Sequence, residues 1–527
     1  MELLSSTTAL TIVFTLILAL VPIWALKKLN TLWLRPKRLE RLLRAQGLQG
    51  DPYKLSSLEN QKELYMVRME EEAKSKSIGL SNANEEVAPR VFLPSHHAVN
   101  KYGKNCFLWK GTTPQVVITD PEQAKEVFCK MQDFPKPRLS FIAKLLTTGL
   151  VSYEGEKWAK HRKIVNPAFH LEKLKDMLPA IFECSNDMIR KWEGMLSSDG
   201  TLEIDVWPFL QNLSCDAISR TAFGSTYEEG AQIFELLKKQ ANIVLAAFHR
   251  HSTGWWFLLT ALGRMVKIGR DMHAIIDGIM RKREKAMQNG EATNNDLLGI
   301  LLKSNNSNEV HQGRDNTKVA GMTKKEVINE CKIFYLAGQE TTSTLLVWTI
   351  ILLGRYPEWQ ARAREEVLQV FGDLDPDFDG LNRLKIVTMI LNEVLRLYSP
   401  IFIVNRAVRK DLKLGNLLLP AGVQASLPIL LIHHDHDLWG DDAKEFKPER
   451  FSDGIAKATK GQVSFLPFGW GPRICIGQNF ALLEAKMALS LLLRNFSFEL
   501  SPTYAHVPTA MLSLQPKFGA PIILHKL

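Results

Sequence analysis

Apolar residues recur along this chain mostly at helical spacing, with a few short runs of β character. Leu3 to Leu26 holds no charged residue, and roughly 20 apolar residues suffice to cross a bilayer as a helix. Helical periodicity predicts helices over Glu172–Leu196, Ala231–Ala247, Asp271–Gln288, Lys324–Arg355 and Ala481–Leu493. Pro179 predicts a break in the first of these. Thr323-x-x-Glu326 forms a capping box that starts the fourth. That helix would run roughly 48 Å at 1.5 Å per residue. Val116–Thr119 reads as a strand, and Leu419-Pro420-Ala421-Gly422 as a turn between apolar strands within Leu412–Leu430. Met511–Leu524 has the same β flavour, whereas Ser304–Gly321 is polar, Asn-rich and predicted as a surface loop. No Gly/Ser linker or internal repeat divides the chain. The pattern predicts a mainly α fold with a minor β region: a membrane anchor over 1–34, then one large domain over 35–527.

Charge sharpens the reading of the first apolar run. Lys27, Lys28, Arg35, Lys37, Arg38, Arg41 and Arg44 follow it, opposed only by Glu40. Glu2 stands where a signal peptide would carry basic residues, and no small-x-small cleavage site precedes Lys27. The run is therefore expected to be a retained, single-pass anchor. The positive-inside rule places the rest in the cytosol, with the endoplasmic reticulum as the membrane. The net charge is +10. No zinc-finger spacing, RNP-like segment or basic block with interleaved aromatics accompanies it, so nucleic acid is not expected as a partner. The excess suits anionic lipid and an acidic electron-transfer protein. Six unpaired-looking cysteines fit a reducing compartment.

One of them sits in unusual company: Phe468-Gly469-Trp470-Gly471-Pro472-Arg473-Ile474-Cys475-Ile476-Gly477. Taken alone, such a cysteine is most often a small buried hydrophobe. No second Cys or His lies two to four residues away, which argues against a structural zinc site. A haem iron asks less, because one proximal thiolate suffices. The spacing F-x-x-G-x-R-x-C-x-G resembles the haem-binding loop of the cytochrome P450 monooxygenases, matched by Phe468, Gly471, Arg473, Cys475 and Gly477.

Other segments extend the likeness. Ala337-Gly338-Gln339-Glu340-Thr341-Thr342 interrupts the long helix with a glycine and two threonines, residues that cost helix stability. Its plain reading is a kink with back-bonding threonines. It also resembles the family's A/G-G-x-D/E-T motif. The resemblance implies that Gly338 admits a flat ligand and that Glu340 and Thr341 supply protons for oxygen activation. Glu393 and Arg396 share a helix face. With Arg450 of Phe446-Lys447-Pro448-Glu449-Arg450-Phe451 they resemble the family's structural triad. Trp158 and Arg162 resemble its W-x-x-x-R pair. By that likeness Arg162, Arg406 and Arg473 are expected on haem propionates.

The resemblance implies a cytochrome P450 fold behind one N-terminal transmembrane helix, with haem b ligated by Cys475. Electrons would come from NADPH through NADPH-cytochrome P450 reductase, and the protein would act as a monomer. Leu32–Arg38, Asp205–Asn212 and Leu414–Pro420 look like the plant branch that contains secologanin synthase and legume oxidases of oleanane triterpenes. This implies a hydrophobic terpenoid substrate, a β-amyrin derivative oxidised on ring E (C-21, C-22 or C-29/C-30) on the way to saponins. Gibberellin or iridoid oxidation, and haem or terpenoid binding without turnover, are the alternatives. Ser399-Pro400 departs from the two prolines of near relatives, which puts the regiochemistry in doubt. Pocket candidates are Phe334, Ala337, Ile401, Phe402, Met511 and Leu512.

Overall fold

The computed structural model describes residues 14, 18, 20–55, 87–91, 93–249, 255–291, 295–311 and 321–527. They group into two compact units. The smaller takes its residues from Met1–Met69, Phe92–Pro137 and Asn405–Pro428; the larger from Glu70–Val91, Arg138–Val404 and Ile429–Leu527.

The smaller unit is built on a four-stranded sheet in the order Phe107–Lys110, Thr113–Val117, Gln424–Leu427, Val404–Ala407. Its second and third strands run parallel, with Val116 opposite Ala425, and both side chains are fully buried. The predicted turn at Leu419–Gly422 is present, closed by Val423 N–H on the Pro420 carbonyl at 3.3 Å. The strands it joins lie in different sheets, because Leu417–Leu419 pairs instead with Leu412–Leu414. The basic connector folds as the helix Arg35–Arg44, burying Leu39, Leu43 and Glu40. Glu40 bridges Lys37 at 2.9 Å and Arg44 at 3.0 Å. Residues 20–29 ahead of it are helical, with Leu20, Val21, Ile23, Trp24 and Leu26 exposed. Most of the predicted anchor lies outside the described residues.

The larger unit is mainly helical. Its axis is the 32-residue helix Lys324–Arg355, which begins with the predicted Thr323/Glu326 capping box. This helix is long and apolar enough to span a bilayer, yet its most apolar stretch is 72% buried. It is a core helix. The helix Trp207–Ile218 packs against it. There a Cβ on Gly338 would stand 2.9 Å from Ile218 Cγ1. The glycine at this position thus admits a neighbouring helix, which corrects the expectation that it admits a flat ligand.

Two further expectations change. The helix Leu171–Glu193 passes through Pro179 without a break. Leu174, Met177, Leu178, Ile181 and Cys184 form one buried face across the proline, and that packing offsets the lost backbone hydrogen bond. The first eight residues of the polar stretch predicted as a loop are helical, since a helix covers Leu297–His311. Leu297, Leu298, Leu301 and Leu302 are fully buried and carry the helix into its polar end. Residues 312–320 lie outside the described ones.

Two small sheets complete the larger unit. Pro521–Lys526 runs antiparallel between Thr201–Asp205 and Phe496–Leu500. Pro508–Ala510 and Leu514–Pro516 form a hairpin with Gln515 opposite Thr509. The tip of that hairpin, Met511 to Ser513, lies beside the long helix, held by Ser513 on Glu340 and Thr344.

Candidate active site

The cysteine loop turns on two glycines in the left-handed region, Gly469 at φ 71° and Gly471 at φ 69°. Side chains are strained there, so these positions favour glycine. Cys475 N–H donates to the Phe468 carbonyl at 2.9 Å and closes the loop. The helix Gln478–Asn495 starts three residues later, with Gly477 as its cap. Burial pushes the Cys475 thiol up, while the Gly477 N–H and the Arg162 guanidinium draw it back towards the thiolate. The Cys475 side chain is nonetheless solvent-accessible. Among the described residues no group of three or more His, Cys, Asp or Glu could hold a metal.

Behind the loop stands a buried ion-pair cluster. Arg396 makes a two-pronged bond to Glu393, Nε to Oε2 at 2.8 Å and Nη2 to Oε1 at 2.7 Å, with both side chains fully buried. The i, i+3 spacing on the helix Lys385–Leu397 puts the pair on one face. Arg450 adds its charge, with Nε 3.5 Å from Glu393 Oε1. Its two Nη groups donate to the carbonyls of Trp439 at 2.8 Å and Asp442 at 2.9 Å. The predicted triad is therefore assembled.

Sequence reading missed the group that links this cluster to the cysteine loop. Arg396 Nη1 donates to the His433 carbonyl at 2.7 Å. The His433 ring accepts the Leu466 N–H at Nε2, 2.8 Å, so its Nδ1 carries the hydrogen donated to the Arg396 carbonyl at 3.1 Å. Burial and the neighbouring His434 and Arg396 hold His433 well below its usual pKa, and the ring is neutral. Two residues past Leu466 the loop begins. The only sequence signal was a His-His pair after an apolar run.

The arginines divide. Arg162 Nη1 donates to the Ile474 carbonyl at 3.0 Å, beside Cys475. Arg473 lies 4.6 Å over the Trp158 ring and pairs with Glu154, 2.8 Å and 2.9 Å to its two oxygens. Glu154 was not anticipated; it is the residue ahead of the helix Gly155–Val165 that carries Trp158 and Arg162. In this structure Arg473 serves a carboxylate of the protein. Arg406 belongs to the smaller unit, where its guanidinium packs 5.7 Å from the Phe128 ring centre. The same helix is tied to the long one by a second unanticipated pair, His161 Nδ1 and Glu330 Oε1 at 2.6 Å, both fully buried.

In the middle of the long helix Thr341 Oγ1 donates to the Ala337 carbonyl at 2.7 Å, the back-bonding geometry. Glu340 Oε1 accepts from Ser513 Oγ at 2.8 Å and from Gln515 Nε2. Burial raises the Glu340 pKa against the pull of those two bonds. Of the pocket candidates, Ala337, Ile401 and Met511 are exposed, and Phe402 and Leu512 are half-buried. Phe334 is buried in a stack on Phe169, 5.5 Å between ring centres. Leu514 N–H donates to the Pro400 carbonyl at 3.2 Å, so the segments of Ile401, Met511 and Glu340 converge through hydrogen bonds. Ser399 stands fully buried and donates to the Ile401 carbonyl at 3.0 Å, a side-chain bond that closes this turn.

The donor set fits a haem. One accessible sulfur, with an N–H and a guanidinium to favour its anion, suits an iron that brings its own in-plane nitrogens. Beside it a Cβ on Gly477 would meet nothing within 4 Å. The cytochrome P450 family model matches residues 92–520. The chain belongs to the cytochrome P450 family. Members of this family carry haem and draw electrons from NADPH through a reductase. The chain is 66% identical over 528 residues to the 11-oxo-beta-amyrin 30-oxidase of Glycyrrhiza uralensis, covering 100% of both chains. It is 65% identical to the protein of that name from Medicago truncatula, over 99% of each, and 65% identical to cytochrome P450 CYP72A613 of Trigonella foenum-graecum, over 98% of each. This P450 thus matches plant triterpene oxidases along its full length.

Proposed function

We propose that this P450 is a monooxygenase that oxidises an oleanane triterpenoid of the β-amyrin type on ring E, at the C-29/C-30 methyl side, in saponin formation. The observation that carries the reading is 66% identity along the whole of both chains to an enzyme named for oxidising 11-oxo-β-amyrin at C-30. In this reading the Cys475 sulfur would hold the haem iron, and Trp158, Arg162, Phe468 and Gly477 would shape the cofactor's seat. The bound haem supplies oxygen activation, which thiolate ligation favours. The chain's residues supply the rest. Gly477 N–H and Arg162 favour the thiolate against the burial that opposes it, and the Glu393–Arg396–Arg450 cluster keeps the loop still. Glu340 holds a proton within an apolar helix, and Thr341 lies one residue on. Ala337, Ile401, Phe402, Met511 and Leu512 offer the apolar surface that a pentacyclic hydrocarbon needs. Phe334 acts through its stack on Phe169.

Residues 1–34 anchor the protein in the endoplasmic reticulum with the catalytic part in the cytosol, where an NADPH-cytochrome P450 reductase reaches it. The charge-free run Leu3–Leu26 and the basic residues after it support this topology. The anchored enzyme works as a monomer. Arg473 is the further propionate candidate of the larger unit.

Microsomes holding the chain and a plant reductase, given NADPH with β-amyrin or 11-oxo-β-amyrin, are expected to form C-30 alcohol and acid. Turnover of a gibberellin or iridoid with no oleanane product overturns the substrate. Product without NADPH indicates an isomerase, and no product across the panel a binding protein. Cys475→Ser is expected to abolish the red-shifted carbon-monoxide band of thiolate-ligated haem; an unchanged band refutes the ligand.

A further inference from the structure

Glu340 is held by residues that no motif around it contains. Ser513 Oγ donates to its Oε1 at 2.8 Å, and Gln515 Nε2 donates to the same oxygen. Gln515 Nε2 also reaches Ser513 Oγ at 3.2 Å. Ser513 Oγ and Thr344 Oγ1 stand 2.9 Å apart, and Thr344 Oγ1 lies 2.7 Å from the Glu340 carbonyl. Both donors thus converge on one carboxyl oxygen. In the neutral acid that oxygen is the carbonyl, and Oε2 carries the proton.

The chemistry of the partners says what they do. An amide does not pass protons on, so Gln515 is no relay. Ser513 and Thr344 are both fully buried, so the hydroxyl pair ends inside the protein. Neither route brings protons from solvent. What the donors accomplish is orientation: they pin Oε1 against the hairpin and leave the Oε2 proton on the other side.

The hairpin has a second attachment. Met511 N–H donates to the Ser513 carbonyl at 3.0 Å, and Leu514 N–H to the Pro400 carbonyl at 3.2 Å. Met511 and Ile401, 39% and 40% exposed, are the apolar side chains flanking these bonds. A ligand pressing on either side chain acts on the backbone that carries Ser513.

We propose that Ser513 and Gln515 are positioning residues that aim the proton of Glu340 and couple it to whatever rests on Met511 and Ile401. This rests on the reading of Glu340 as the proton donor. Its test is therefore made on the carboxyl group itself as well as on turnover.

The infrared carbonyl band of a neutral carboxyl is measured in the intact holoenzyme and assigned to Glu340 by its loss in Glu340→Gln. In Gln515→Leu and Ser513→Ala the band is expected at higher frequency, because its carbonyl loses a donor. The pH at which it disappears is expected to rise by about one unit per bond removed. Ser513→Thr keeps the hydroxyl and is expected to restore the wild-type band. Adding β-amyrin is expected to shift the band in the wild type and not in Ser513→Ala. The ratio of product to NADPH consumed is expected to fall roughly fivefold in both losing variants.

A Glu340 band that stays put in Gln515→Leu and Ser513→Ala overturns the proposal. So does the absence of any band that Glu340→Gln removes. Gln515→Leu, on a half-buried side chain, keeps the test open if Ser513→Ala does not fold. If the band moves while Glu340→Gln retains full coupling, the positioning stands and the proton-donor reading fails.

Discussion

Two glutamates on helices of the larger unit, Glu393 fully buried and Glu340 half-buried, are held in opposite ways. Glu393 faces guanidinium groups, Arg396 at 2.7 Å and Arg450 at 3.5 Å, and a backbone N–H from Lys447 at 3.0 Å. Glu340 faces a hydroxyl and an amide, both neutral. The first arrangement fixes a charge, because removing either side strands the other in a low-dielectric interior. The second leaves a carboxyl that burial drives towards its neutral form. A fixed charge braces; a carboxyl whose pKa burial raises holds its proton more readily than an ordinary one. The difference in partners separates structural from chemical duty although the two residues are the same.

That contrast is easiest to break at the brace. Arg396→Ala leaves Glu393 buried with its nearest countercharge gone, and is expected to cost about 3–5 kcal/mol of stability. Haem content after purification and the denaturation midpoint would show it; a variant with normal haem loading and midpoint would end the structural reading. Glu340→Gln is expected to do the reverse. Stability and the carbon-monoxide spectrum should persist while product formed per NADPH falls by roughly a hundredfold. Equal loss of haem in both variants would erase the distinction.

Glu484 sharpens it further. This residue, on the helix after the cysteine loop, is fully buried; among the described residues its two oxygens make no well-formed hydrogen bond, and the Ser214 hydroxyl is the polar group that eases its charge. Burial pushes its pKa up to about 8 from the ordinary 4.5. The folded protein then binds a proton that the unfolded chain has lost, so stability falls as pH rises between those values. Glu484→Gln is expected to flatten that slope and to gain on the order of 1–2 kcal/mol at pH 8. Thermal melts from pH 5 to about 8 with identical slopes for both proteins would show that Glu484 is already satisfied.

Much of the brace was legible beforehand. Glu393 and Arg396 are three apart on a helix, and helical geometry alone puts them on one face. The capping box and the span of the long helix were legible for the same reason, since both depend on residues within a turn or two. Gly338 was misread. A glycine announces that a side chain does not fit, but Ile218, more than a hundred residues earlier, occupies the space. Pro179 misled because continuing the helix through it costs one hydrogen bond and a ring clash, and the buried face around it is worth more. The polar stretch after Lys303 misled in the opposite sense, because the leucines before it extend the helix.

His433, Glu154 and Ser513 were invisible in the sequence, and each for the same cause. His433 meets Leu466 across 33 positions; Ser513 meets Glu340 across 173. Arg473, expected on a propionate, meets Glu154 across 319. No local pattern encodes such pairs.

From the chain alone came the helices, the caps, the cysteine in its glycine loop and the acid within the long helix. These follow from short-range sterics and from residue types at fixed spacing. The fold settled the partners: guanidinium groups for Glu393, a hydroxyl and an amide for Glu340, a neutral imidazole between brace and loop. Partners decide whether a buried carboxyl is a strut or an acid, because in a low-dielectric interior the nearest few ångströms set its charge.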